Sequence, residues 1–110
     1  MLIEVRTAGT TSGEQSFAEV KAEVHAALDQ YGDRLRRIDV HLSDAAGRKS
    51  GHDDKSCMIE ARRDGCEPIV VTHLDSTMEK AIHGAIHDLK RSVQSALGKE
   101  AARDQRRDHH

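Results

Sequence analysis

The stretch from Ser76 to Leu97, STMEKAIHGAIHDLKRSVQSAL, constrains the fold more than any other part of this chain. Its apolar residues, Met78, Ile82, Ala85, Ile86, Leu89, Val93, Ala96 and Leu97, recur mainly in steps of three and four. That spacing lays one continuous stripe along a helix of about six turns. Ser76 followed by Glu79 reads as a capping box at its start, and Gly98 as its stop. The opposite face carries Lys80, His83, His87, Lys90, Arg91 and Gln94. A single stripe needs a single cover, which a sheet supplies. The other face offers cations and imidazoles to something outside.

The rest of the chain supplies that sheet. Residues 2–7 alternate Ile3, Val5 and Thr7 against Leu2, Glu4 and Arg6, the period of a half-buried strand. Turn formers follow, with Ser12 and Ser16 as candidate caps; Ser16 with Glu19 makes the better capping box. Phe17, Val20, Val24, Ala27, Leu28 and Tyr31 then form a second helical stripe, closed by Gly32, with a mostly acidic outer face. From Leu35 to Leu42, Ile38, Val40 and Leu42 point one way and Arg37, Asp39 and His41 the other. A loop rich in Gly, Ser and Asp spans 43–56. Cys57, Ile59 and Ala61 face the core in the next strand, with Met58, Glu60 and Arg62 outside. Asp64–Gly65 signals a hairpin turn, and residues 69–73 form a fourth strand after the only proline, Pro68.

The order β-α-β-β-β-α predicts an α+β two-layer sandwich: a four-stranded sheet with both helices on one face. The last three strands form an antiparallel meander, and the first lies alongside, parallel. The other sheet face, with Glu4, Arg6, Arg37, Asp39, His41, Met58, Glu60 and Arg62, is expected to meet solvent. One domain over residues 1–98 is expected. Residues 99–110 form a charged tail, disordered or a frayed helical extension.

With one Phe, one Tyr and no Trp among 110 residues, the core must be aliphatic. No apolar run approaches a membrane span, and MLIEVRT lacks the regions of a signal peptide, so a cytoplasmic location without membrane contact is expected. Cys57 and Cys66 are expected as free thiols. A net charge of −2 argues against a general nucleic-acid binder. The distribution is more pointed: residues 34–63 hold eight basic and five acidic side chains, and residues 90–110 hold six and three. A local anionic partner is compatible with that pattern, as is an ordinary solvated surface.

Three stretches carry a family likeness: LDQYGDRLRRIDVHL at 28–42, the hairpin from Met58 to Val71 with HLDSTMEKAI behind it, and AIHGAIHDLKRSV on the last helix. Together with the element order, they resemble the ribosome hibernation promoting factors, also called ribosome-associated translation inhibitors or sigma-54 modulation proteins. The resemblance spans about residues 2–99. It implies a non-catalytic factor, without cofactor or metal, that sits on the small ribosomal subunit near the decoding region and blocks tRNA and mRNA. Its partners would be the 30S subunit and its rRNA, and its effect a damping of translation in stress or stationary phase. On this chain the implied rRNA-binding residues are Lys80, His83, His87, Lys90, Arg91 and Lys99 on and just beyond the last helix. Arg36 and Arg37 at the second strand and Lys21 on the first helix join them, with Arg34, Arg48 and Lys49 nearby. This sequence is poorer in helix cations than the family pattern, and it places His83 and His87 where permanent cations are expected. Each phosphate contact adds affinity by releasing counterions, so fewer cations mean weaker binding. Histidine is an intermittent cation near neutral pH.

Other chemistries fit less well. His83 and His87 have the i, i+4 spacing of a two-histidine metal face, but Cys57, Cys66 and His25 are not expected to converge on them. There is no nucleophile elbow, phosphate loop or paired carboxylates in an evident pocket; Asp53 and Asp54 read as turn residues, and His109–His110 as no site. A double-stranded RNA module would want lysines at the start of the last helix, where Asp75 to Lys80 is mostly acidic and uncharged. The alternative function is a protein-interaction domain using the open sheet face, without ribosome binding. Free edge strands also admit a weak homodimer through a sheet edge or that face.

Overall fold

Four segments with period-two alternation pair into one sheet in the order β1-β2-β3-β4: β1 (Leu2–Ala8), β2 (Arg37–Asp44), β3 (Lys55–Arg62) and β4 (Ile69–Asp75). The computed structural model describes the backbone of residues 1–8, 17–44 and 55–107, and the side chains of 1–7, 17–44 and 55–100. β1 runs parallel to β2, and β2, β3 and β4 form the antiparallel meander. Two helices, α1 (Phe17–Leu28) and α2 (Met78–Arg107), cover one face, so the two-layer α+β sandwich holds. A 3-10 helix, Asp29–Arg34, carries Tyr31 and Gly32 and takes the chain from α1 toward β2. Ser12, Ser16, Arg48, Lys49, Asp53, Asp54 and the terminal histidines lie outside the described residues.

The core is the aliphatic layer the composition requires. Val20, Val24 and Leu28 of α1 and Ile82, Ala85, Leu89 and Val93 of α2 close over Val5, Ile38, Val40, Leu42, Cys57, Ile59 and Ala61 of the sheet, all buried. Burial pushes the Cys57 thiol from 9.0 up to about 12. The folded chain thus keeps a proton that the unfolded chain releases. Stability falls as pH climbs from the ordinary thiol range toward that raised value. Cys66 is exposed, and neither cysteine is in a disulfide. A thiol reagent is therefore expected to titrate one cysteine in the native protein and a second only on unfolding. Prompt native reaction of both would contradict the packing.

Several boundaries differ from the sequence-based expectation, each for a physical reason. β2 begins at Arg37, because Leu35 turns inward and is buried before the ladder starts. Ser43 and Asp44 belong to β2 and pair with Ser56 and Lys55 of β3, and Lys55 Nζ donates to Asp44 Oδ1 at 2.9 Å. At the Asp64–Gly65 turn, Gly65 has φ 71° while no described non-glycine residue has positive φ. That suits a type II turn with Gly65 at its third position, and the hairpin expected there does join β3 to β4.

The cap of α2 is Thr77, one residue later than expected. Thr77 Oγ1 accepts the Lys80 N–H at 3.1 Å, and its carbonyl accepts the first helical bond from Ala81. The Ser76 N–H donates instead to Asp75 Oδ1 at 2.7 Å. That bond, more than any other contact, holds the Asp75 carboxyl below the usual carboxylate range. Its contribution to the fold is present at neutral pH and is lost only as pH falls through the lowered value. Thr77→Ala is expected to lower stability by about 1 kcal/mol in thermal unfolding. Ser76→Ala should stay within about 0.5 kcal/mol, and the reverse ranking would restore Ser76 as the cap.

Gly98 does not stop α2. Its φ is not positive, so it makes no left-handed cap, and the Arg63–Glu100 ion pair holds the next turn against the sheet end. Of the two forms expected for the following segment, the helical extension is present through Arg107.

Candidate nucleic-acid interface

The outward surface is built where α1 and α2 lie side by side over the sheet. Glu23, Ala26 and Ala27 of α1 and His83, Ile86, His87 and Lys90 of α2 line a groove of about 480 Å³. Spacings of three and four place all four α2 residues on one flank of that helix. His83 Nε2 lies 3.2 Å from Glu23 Oε2, tying the helices together. The groove has an apolar floor at Ile86, Ala26 and Ala27, and a rim of imidazoles with one lysine. Glu23 offsets part of the attraction for an anion.

The expected cations do not form one row. Lys90 lies on the α1 side of α2, whereas Arg91 lies with Asp88, Ser92 and Ser95 on a separate surface of the same helix. Lys80 is exposed on the first turn, near Asp75, and Lys99 is exposed farther along α2. Lys21 precedes Glu23 by two positions, about 200° around α1, and so points away from α2. Among the described residues Lys21, Lys90, Arg91 and Lys99 make no ion pair.

Arg36 and Arg37 go elsewhere. Arg36 Nη1 pairs with Asp64 at 3.0 Å at the end of the sheet. Arg37 lies on the face away from the helices, where its Nε donates to both Asp39 oxygens at 3.0 Å. The face is left open to solvent as expected, with one departure at Asp39. Asp39 is only 6% exposed, roofed by Arg37 and by Arg62 at 4.0 Å, whose long stems lie over the sheet. Register puts Glu4, Asp39 and Glu60 in one row across three strands, with Arg37 and Arg62 in the next.

Sequence reasoning missed a second concavity, of about 830 Å³, at this end. Arg36, Arg37, Arg62 and Arg63 line it together with Cys66. The Arg36–Arg37 and Arg62–Arg63 doublets were the available signal, since β2–β3 register sets Arg37 opposite Arg62. Each guanidinium has its own carboxylate, however: Asp64, Asp39, Glu60 and Glu100 respectively. Arginine density there does not amount to an electropositive site.

No three His, Cys, Asp or Glu side chains group as a metal site requires among the described residues. No described helix is long and apolar enough to cross a membrane. His73 on β4 has the most constrained setting of the described histidines, with a carboxylate at each ring nitrogen. Its Nδ1 lies 3.2 Å from Asp88 Oδ2 and its Nε2 lies 3.5 Å from Asp75 Oδ2. The ring lies so close under Gly84 of α2 that a Cβ there would come within 2.3 Å of it.

The architecture has solved counterparts. The N-terminal domain of Thermus thermophilus Protein Y is similar with a TM-score of 0.64 at 21% identity, over 86% of this chain and 98% of that one. A ribosomal subunit interface protein from Coxiella burnetii is similar with a TM-score of 0.65 at 15% identity, over 89% and 99%. Neither a known family model nor a curated protein sequence matches the chain. The likeness is one of fold, and it agrees at that level with the resemblance drawn from the sequence.

Proposed function

We propose that this domain binds the small (30S) ribosomal subunit through its rRNA and damps translation in stress or stationary phase, without catalysing a reaction. The observation that carries this reading is the near-complete overlap with a protein described as a ribosomal subunit interface protein, 99% of whose chain is covered. The outer surface of α2 supplies the contacts. Lys80, Lys90, Arg91 and Lys99 meet phosphates from more than one side of α2, and His83 and His87 line the groove against α1 beside Lys90. Lys21 and Arg36 are peripheral, and Arg37 is committed to Asp39. A cytoplasmic location follows from the partner.

The competing reading, a protein-interaction domain using the open sheet face, is less well served. The centre of that face is a lattice of paired charges around Asp39, while its exposed apolar residues, Leu2, Val70 and Leu74, stand on the two outermost strands. A cell-free translation reaction separates the two. Added protein is expected to lower synthesis in proportion to 30S occupancy, whereas undiminished synthesis at saturating occupancy would remove the inhibitory role.

A further inference from the structure

β4 ends the sheet without the usual protection of an edge. It pairs with β3 alone, and among the described residues no other backbone group bonds to it. Pro68 just before the strand and Asp75 at its last position guard only its two ends; between them the run Ile69-Val70-Val71-Thr72-His73-Leu74 has no Lys, Asp, Glu or Pro, and Val70 and Leu74 are 51% and 57% exposed. Natural edges are commonly blunted by such charges or by proline, so this strand is a template for another.

We infer that the occupant is a second copy of this chain, joined antiparallel through β4 about a two-fold axis at Thr72. The pattern is self-complementary. With Thr72 opposite Thr72, Val70 of each copy faces Leu74 of the other on the open side of the sheet. Residues directly opposite in an antiparallel pair share a face, so both α2 helices lie on the same side.

The helices then match as well. α2 packs over β3 and β4, so two copies stand about two strand spacings apart, within the roughly 8–10 Å of packed helices. His73 lies beneath Gly84 and Asp88, so the axis through Thr72 passes close to Asp88–Arg91. The facing surface carries small Ser92 and Ser95, with acidic Asp88 and basic Arg91. Antiparallel pairing sets Asp88 of one copy toward Arg91 of the other. Asp88 uses only Oδ2 on His73, and Arg91 makes no ion pair among the described residues. Arg91 cannot serve rRNA and this contact at once, so the two states are alternatives.

The test uses the full chain in two measurements. Sedimentation equilibrium should show a dimer that Val70→Lys with Leu74→Lys weakens roughly a hundredfold, with the circular dichroism spectrum unchanged. Thr72→Cys, in a Cys66→Ser background, should form an intermolecular disulfide on oxidation, since facing Cα atoms lie within bonding range. A monomer at concentrations on the order of 100 μM overturns the inference. So does a dimer broken by Leu2→Lys and untouched by the β4 substitutions, which would use the β1 side of the sheet, or failure of the Thr72→Cys variant to cross-link.

Discussion

Replacing Lys90 and Arg91 together by glutamate should lower association with 30S subunits on the order of a hundredfold at low salt. Each phosphate contact releases condensed counterions, and two such contacts at about 0.05 M salt are worth roughly that factor before repulsion is counted. The effect is large because this domain has few cations to spare. Arg36, Arg37, Arg62 and Arg63 are tied to carboxylates, which leaves Lys80 and Lys99 as the other cations of this surface. Lys90 and Arg91 are on α2 and outside the fully buried core, so the fold should survive the change. Unchanged co-sedimentation of this double variant, with a native circular dichroism spectrum, would remove α2 from the interface.

Gly84→Ala should destabilise the protein by about 1 to 3 kcal/mol, although alanine is the better helix former by about 1 kcal/mol. The new Cβ would sit 2.3 Å from the His73 ring. The ring cannot yield freely, because Asp88 and Asp75 hold its two nitrogens from different elements. Either α2 lifts from β4 or the imidazole leaves both carboxylates. His73→Ala makes room, so the loss from Gly84→Ala should largely vanish in that background, a coupling visible in a double-mutant cycle of urea melts. Equal losses in both backgrounds would show that the glycine matters for some other reason.

The layers and the strand order were legible because β1, β2 and β3 alternate with period two, β4 is a short β-branched run after a turn, and each helix has one stripe. Mixed pairing followed from connection lengths. Ends were harder to read. Ser76 and Thr77 are both cap formers, and only the Asp75 carboxylate, by engaging the Ser76 N–H, decides for Thr77. Gly98 looked like a stop, yet a glycine stops a helix only by going left-handed, and the Arg63–Glu100 pair comes from β3's far end. Which of the candidate residues share a surface was not legible. Spacing put Lys90 and Arg91 on the outer half of α2. It could not show that Glu23 of α1 engages His83, or that Lys21 turns the other way. Arg37 and Asp39 looked equally solvated, and only register across three strands reveals the clamp that buries Asp39.

Docking of this fold on the small subunit is the step on which the proposed function depends. Co-sedimentation of the unmutated protein with purified 30S and 50S subunits over a salt series tests it most directly. The protein is expected to pellet with 30S and not with 50S at roughly 50 to 100 mM salt, with binding falling steeply and log-linearly as salt rises. Absence from the 30S pellet at the low end of that range would contradict that docking.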